Sequence, residues 1–299
     1  MYTSKLAVTL FCLTHTMSHL ILQSPNLLSA NIEKIAAVVS ADGVQELGPT
    51  AVRILGADNE AEDQVRELCS TMGIDFAFLD QIRLLRECKI LAMDMDSTLI
   101  NIECIDEIAD IAGRKAQVAA ITEAAMRGEI KDFAESLTRR VALLEGVPAT
   151  ALEEVYAQRL RLNPGAEALL ATTKQHGLTT LLVSGGFTFF TERLKERLGL
   201  DECHANVLEV RNGLLTGRVK GDILDARGKA ARLQDLAHRL GATPEQIIAI
   251  GDGANDLEMM RHAYFSVAYR AKPIVQAQAR YALNVAPLDA VLNWFRLSY

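Results

Sequence analysis

Ile90-Leu91-Ala92-Met93 runs straight into Asp94-Met95-Asp96-Ser97-Thr98. A short, wholly apolar run of this kind fits a parallel strand buried on both faces. Two carboxylates at the exit of such a strand are costly unless something compensates them, and a divalent cation would do so. Residues two apart along an extended segment point to the same side, so Asp94 and Asp96 can address one bound group. An acidic turn that only caps the next segment would look the same, and the pair alone leaves both readings open.

Further along, Thr179 to Val183, Ile247 to Ile250 and Phe265 to Val267 repeat the short apolar pattern, with helical periodicity between them. That alternation predicts a doubly wound α/β fold with a parallel sheet, whose ligand site lies beyond the carboxyl ends of the strands. The stretch from about Glu107 to Arg161, closed by Asn163-Pro164-Gly165, is too long for a simple crossover and predicts an inserted helical cap. Val207 to Val210 and Leu214 to Val219 flank Asn212-Gly213 and predict a hairpin.

The Ile247 to Ile250 run exits into Gly251-Asp252-Gly253-Ala254-Asn255-Asp256, a second acidic group at a strand end. Glycines 251 and 253 allow the backbone to turn tightly and bring these acids toward the first pair. Several carboxylates meeting in one crevice repel one another, and a hard cation with oxygen ligands resolves the repulsion. Ser184-Gly185-Gly186, after the second strand, offers a hydroxyl and flexible backbone N–H groups as an anion cradle, although such a triplet is also a common turn. Lys229 follows Gly228 at the start of another helical pattern. A surface lysine is the default there, but beside the other three groups it becomes a candidate for neutralising an anion and orienting Asp94.

Taken together, the DxDxT pattern at Asp94 to Thr98, the serine at 184, the lysine at 229 and GDGxND at Gly251 to Asp256 resemble the four signature motifs of haloacid dehalogenase-type phosphatases, in order, over about 85 to 285. The resemblance implies Asp94 as the nucleophile that becomes an aspartyl phosphate and Asp96 as the acid and base. It also implies Mg2+ on Asp94, Asp252 and the backbone carbonyl of Asp96, with phosphate held by Ser184, the Gly185 N–H and Lys229. Asn255 and Asp256 are expected to orient the site, Asn255 on its substrate side. Asn101-Ile102-Glu103, Ile105-Asp106-Glu107 and Leu137-Thr138-Arg139-Arg140-Val141 resemble the subgroup that hydrolyses O-phospho-L-serine, the last step of serine biosynthesis. There Glu103 would take the substrate ammonium, Arg140 its carboxylate, and Met126 and Phe133 its apolar flank. Another small phosphoester, such as phosphohomoserine, is the alternative substrate. A phospho-aspartate receiver uses similar groups, but has no need of a leaving-group acid at Asp96.

Ahead of this core, residues from about 20 to 82 read as strand, helix, strand, strand, helix, strand, the order of a ferredoxin-like α+β domain of ACT-like type. A Gly48-Pro49 turn separates its middle strands, and its second helix is expected to start near Asp58 or Asn59 with Glu62 closing a capping box. A packing or homodimerising role and a serine-sensing role are both open for it. Residues 1–19 read as an N-terminal extension or extra strand, in which Lys5 and Leu6 to Leu13 loosely imitate a secretory signal, and 83–299 as the phosphatase unit, with its cap at about 107–162. The 299 residues carry a net charge of −7 and no basic run, which argues against a nucleic-acid partner. No apolar run approaches the roughly 20 residues of a membrane span. Five scattered cysteines without CxxC spacing fit reduced thiols and a cytoplasmic setting.

Overall fold

The computed structural model describes residues 17–297. The signal-like run at Leu6 to Leu13 and Cys12 lie outside the described residues. The first unit runs β1 (Met17–Gln23), α1 (Ser29–Val38), β2 (Gly43–Gly48), β3 (Ala51–Asp58), α2 (Glu62–Met72) and β4 (Asp75–Leu79). Its strands form an antiparallel sheet in the order β2-β3-β1-β4. Alternation explains the unbroken apolar run at Leu20 to Leu22. Leu20 and Leu22 pack under the two helices with Ile35, Val65 and Cys69, while Ile21 faces the other way and joins Ala77 and Leu79 in the main core. Strand β1 begins at Met17, so the residues from 17 to 19 belong to the sheet and not to an extension.

The expected capping box at Glu62 is absent. Asp58 Oδ1 accepts from Glu60 N at 2.9 Å and caps a separate 3-10 turn, Asn59–Ala61. That extra turn moves the start of α2 to Glu62, whose carboxylate then pairs one turn along with Arg66.

A short strand β5 (Arg83–Leu84) leads into β6 (Ile90–Met93). There follow α3 (Cys104–Ile111), α4 (Lys115–Met126), α5 (Phe133–Ala142), α6 (Thr150–Glu154) and α7 (Ala166–Gln175), then β7 (Thr179–Phe187), α8 (Thr188–Leu198), β8 (Glu202–Arg211) and β9 (Leu214–Lys220). The chain continues through α9 (Ala226–Leu240), β10 (Ile247–Gly251), α10 (Leu257–Met260), β11 (Phe265–Tyr269), α11 (Pro273–Gln276), β12 (Tyr281–Leu283) and β13 (Phe295–Arg296). The large sheet has the order β12-β11-β10-β6-β7-β8-β9, parallel except for β9. Ile90, Ala92, Leu181 and Ala249 pack on one face with Leu233 and Leu236 of α9, whereas Leu91, Met93, Leu182 and Ile248 pack on the other with Leu169 of α7. Both faces of β6 are therefore covered, as its apolar run requires.

The helical stretch between β6 and β7 starts at Cys104, a few residues ahead of the expected Glu107. Its two ends are stitched together. Asn101 N donates to Arg161 O at 3.0 Å, Arg161 N donates to Asn101 Oδ1 at 2.9 Å, and Ile100 bridges to Leu162. The hairpin turns at Asn212 and Gly213, both with φ positive, as a tight two-residue turn demands. Strand β8 starts at Glu202, well before the expected Val207, because its polar first half pairs in parallel with β7 and only its second half forms the hairpin.

The first unit is fastened to the large sheet by a buried carboxylate. Asp75 accepts backbone N–H groups from Asn284, Val285 and Ala286 at 2.7, 3.0 and 2.8 Å, at the exit of β12. Asp75→Ala would strand those donors in the interface, so a loss of about 1–3 kcal/mol is expected in urea unfolding. An unchanged midpoint would show that the junction does not depend on this carboxylate.

Candidate active site

Strands β6, β7 and β10 are neighbours, and the chain leaves all three at the same edge of the sheet. The ladder extends one step past β6, where Asp94 N donates to Ile250 O at 3.0 Å, so Asp94 is fixed at the mouth of β10. Asp94, Asp252 and Asp256 then offer carboxylate oxygens within 4.8 Å of one another. Lys229, fully buried in the first turn of α9, reaches into this group. Its Nζ lies 2.8 Å from Asp94 Oδ1 and 2.7 Å from Asp256 Oδ1. Asp256 Oδ2 accepts from the N–H groups of Asp252 and Gly253 at 3.2 and 3.0 Å, so both of its oxygens are engaged. Thr98 Oγ1 donates to Asp252 Oδ1 at 2.9 Å.

Charge is unbalanced here. Three carboxylates face one ammonium, a surplus of two negative charges in a buried crevice. Burial, then the Asp256 charge, pushes Asp94 well above the usual carboxylate range, with Lys229 only partly opposing it. Asp252 is pushed up to about 7 by burial and by Asp256. Burial alone would lower the Lys229 ammonium, but Asp256 and Asp94 overcome that and hold it charged. The surplus and the all-oxygen donor set both fit one hard divalent cation beside Asp94 and Asp252, with Asp256, both of its oxygens engaged, behind them.

Asp96 sits one turn further on. Its Oδ1 accepts from Cys104 N at 3.2 Å, and burial followed by the Glu103 charge raises its pKa to about 7. A Cβ on Gly186 would stand 2.6 Å from Asp96 Oδ2, so only glycine fits there. Ser184 is buried and its Oγ accepts from Gly186 N at 2.9 Å. Phe133, at the start of α5, closes over Gly185, where a Cβ would lie 2.8 Å from its ring. The helical stretch thus overhangs the strand exits.

At the rim, Glu103 Oε1 accepts from Ser97 Oγ at 2.6 Å. Arg140 is half-buried on α5, and burial lowers its pKa against the opposing charges of Asp106, Glu103 and Asp96. Arg139, its neighbour, instead pairs with Glu135 at the surface. Met126 does not share the site's enclosure. It is 62% exposed, with Sδ 3.5 Å from Lys272 Nζ, because it ends α4 where the helix leaves the core. Asn255 Oδ1 stands 2.2 Å from the position a Cβ on Gly253 would take, which places its amide against the turn after β10.

Several polar residues escaped the sequence reading. Asn163 Nδ2 donates to the carbonyls of Thr98 and Ile100 at 2.8 and 3.0 Å, and so pins the loop that carries Asp96 and Ser97, the latter at φ +55°. Asn206 and Thr98 are likewise buried, Asn206 between two backbone groups and Thr98 against the Asp252 carboxylate. Asn163 was legible only as part of a helix-stopping Asn-Pro-Gly, and Thr98 only as a letter in a motif.

A doubly wound sheet whose strand ends gather buried aspartates and a buried lysine is a hydrolytic arrangement, and comparison with known proteins specifies it. The sequence model of the haloacid dehalogenase-like hydrolases matches residues 91–261, a span that holds Asp94, Asp96, Asp252, Asp256 and Lys229. The chain belongs to that family. A domain of unknown function (DUF4072) matches 20–66. A phosphoserine phosphatase of Polaromonas sp. (strain JS666 / ATCC BAA-500) is 59% identical over 213 residues, 70% of this chain and 90% of that protein. Among solved structures, a HAD family hydrolase from Salmonella enterica serovar Typhi superposes with a TM-score of 0.85 at 34% identity, covering 94% of this chain and 99% of that one. A probable phosphoserine phosphatase from Vibrio cholerae gives 0.80 at 35% identity, covering 94% and 87%.

The raised carboxyls set a pH dependence. Asp96 and Asp252 titrate near 7 when folded and near 4 when unfolded, so the folded state holds protons that the unfolded state has lost. Stability of the metal-free protein should therefore fall as pH rises from about 4 through 7. In EDTA, Tm is expected to be lower at pH 7.5 than at pH 5.5, and Mg2+ should restore more at pH 7.5. A flat profile with no response to Mg2+ would contradict this electrostatic account.

Proposed function

We propose that the chain is a magnesium-dependent phosphoserine phosphatase that hydrolyses O-phospho-L-serine to L-serine and phosphate through an aspartyl phosphate on Asp94. The observation that carries this reading is the Asp94–Lys229–Asp256 cluster, which fixes one carboxylate oxygen of Asp94 on an ammonium 2.8 Å away at a strand end. The identity to the Polaromonas phosphoserine phosphatase, across nine-tenths of that protein, supports the substrate.

Asp94 Oδ1 is committed to Lys229 and to Met95 N, the latter at 2.7 Å, so Oδ2 is the oxygen left to attack phosphorus. Lys229 lessens repulsion between that carboxylate and an incoming phosphate dianion. The Ser184 hydroxyl, whose oxygen already accepts from Gly186 N, is free to donate to a phosphate oxygen, and the Gly185 N–H supplies a second donor. Asp96, held near neutrality, can be protonated to deliver a proton to the departing serine oxygen, then deprotonated to take one from the water that hydrolyses the acyl phosphate. Asp94, Asp252 and the Asp96 carbonyl would hold Mg2+, leaving Asp256, with both oxygens engaged, to support them. Bound there, Mg2+ would neutralise phosphoryl charge and polarise the phosphorus toward attack.

Glu103 and Arg140 supply opposite charges at the rim, which matches the ammonium and carboxylate of serine. A planar guanidinium suits a two-point contact with that carboxylate. The helical residues from 104 to 159 act as a cap, with Phe133 lying over Gly185. The strand order β2-β3-β1-β4 supports a ferredoxin-like N-terminal domain, from about 17 to 82, with the phosphatase unit following from 83. Free cysteines at 69, 88, 104 and 203 support a reducing compartment such as the cytoplasm. Among the described residues no helix is long and apolar enough to cross a membrane.

Phosphate release from O-phospho-L-serine, against a panel of small phosphoesters with Mg2+ or EDTA, tests the substrate. Preference for phosphoserine with Mg2+ dependence is expected, and a better turnover of phosphohomoserine would reassign it. Asp94→Asn should abolish turnover, and retention of a tenth of the rate would require another nucleophile. Arg140→Ala is expected to raise KM for phosphoserine by roughly tenfold to a hundredfold, the equivalent of one lost charge-assisted contact, while sparing p-nitrophenyl phosphate. Equal losses on both substrates would remove Arg140 from serine recognition.

A further inference from the structure

We infer that Asn206 is a positioning residue for the phosphate cradle, holding the Gly185 peptide and the start of α9 in register through one buried amide. The inference rests on the phosphatase reading above and extends it to a residue outside the signature motifs.

Strand β7 leaves its ladder where the cradle begins. Val183 pairs with His204 and Phe187 pairs with Asn206, so four steps along β7 match two along β8, and the Ser184–Gly186 segment is thrown out of the sheet. Bulged backbone loses ladder partners, and its carbonyls need others. Asn206, 2% exposed, supplies one. Its Nδ2 donates to Gly185 O at 2.8 Å, while its Oδ1 accepts from Leu224 N at 2.7 Å. Both ends of the amide are satisfied by main chain, from two separate segments.

Each partner bears on the phosphate. The Gly185–Gly186 peptide is clamped at both ends, its carbonyl by Asn206 and its N–H by Ser184 Oγ at 2.9 Å. With two glycines in the segment, little else restrains that peptide. Freed from Asn206, it can rotate and present a carbonyl oxygen to the cradle, where it would repel a phosphate dianion. Leu224 immediately precedes Asp225, whose Oδ1 accepts from Gly228 N at 2.8 Å and caps α9, and Lys229 follows in the first turn. The same side chain therefore sets the orientation of the Ser184–Gly186 donors and the point from which Lys229 enters. Its amide acts through the main chain of Gly185 and Leu224.

The test compares Asn206→Asp and Asn206→Ser with the wild type in the full-length, Mg2+-loaded protein. Asn206→Asp keeps size and the acceptor for Leu224 N–H, but replaces the donor to Gly185 O with a repelling oxygen. Asn206→Ser removes both contacts with less bulk, and serves if the aspartate variant does not fold. KM for O-phospho-L-serine, kcat, and inhibition by inorganic phosphate and by L-serine are measured. Expected is a tenfold or greater weakening of phosphate inhibition, matched by KM, with L-serine inhibition within twofold of wild type. A lowered Tm with phosphate inhibition and KM both within twofold of wild type would reduce Asn206 to a structural role and overturn the inference. Should the wild type fail to turn over phosphoserine, the function above falls instead. Calorimetric affinity for inorganic phosphate, compared between wild type and variants, then still decides the role of Asn206.

Discussion

A lysine ammonium with no exposed surface, held between two aspartates, is the constraint on which the rest of this molecule depends. Burying such a charge is tolerable only when the partners are close and the remaining oxygens are hydrogen-bonded. The fold meets that requirement by bringing two strand exits and one helix start to a single point. Asp94 is the first residue past β6, Asp252 and Asp256 follow β10, and Lys229 enters from α9. Removing the ammonium would leave three carboxylates facing one another with no fixed cation among them.

From that point outward the structure divides its labour between the sheet and the helices that overhang it. The two parallel strands β6 and β10 are buried on both faces and fix Asp94 against Ile250 to the length of one hydrogen bond. The helical stretch above them is attached at two places: at Asn101–Arg161 and Ile100–Leu162, where Asn163 fastens the chain to the loop bearing Asp96, and at the β8–β9 hairpin, where Gly146 N and Ala149 N donate to Leu215 O and Gly213 O. The groups proposed to meet the phosphoryl group thus sit at the strand exits and the start of α9, whereas those proposed to read the rest of the substrate, Glu103 and Arg140, sit just before α3 and on α5. Such a division lets the chemistry stay fixed while selectivity varies with the helices.

Much of this was legible in the chain because burial writes itself in hydrophobic runs. Ile90 to Met93 and Ile247 to Ile250 read as strands covered on both sides, and the acids placed directly after them, Asp94, Asp96 and Asp252, pointed to one crevice. Ser184 and Lys229 were candidates only in the company of those acids, and the structure gathers them. What was illegible is the polar scaffolding. Asn163 and Asn206 do their work through backbone carbonyls and N–H groups, whose positions no residue pattern encodes. Strand β8 was cut short in the reading because Glu202 to Asn206 is polar, though it pairs with β7 all the same. Glu62 was misread because a single extra turn at Asn59–Ala61 displaces a helix start, a shift that local sequence leaves undetermined. Met126 fell outside the enclosure because apolar character on a helix end does not say which way the helix leaves the core.

The central claim is that Asp94 accepts the phosphoryl group. Mixing the enzyme with O-phospho-L-serine labelled on phosphorus, quenching in acid within a turnover, and mapping the label by proteolysis tests it directly. The account predicts label on the peptide that contains Asp94, in a bond that is labile to hydroxylamine as an acyl phosphate should be. Turnover with no protein-bound label, or label on a serine or histidine peptide, would contradict it.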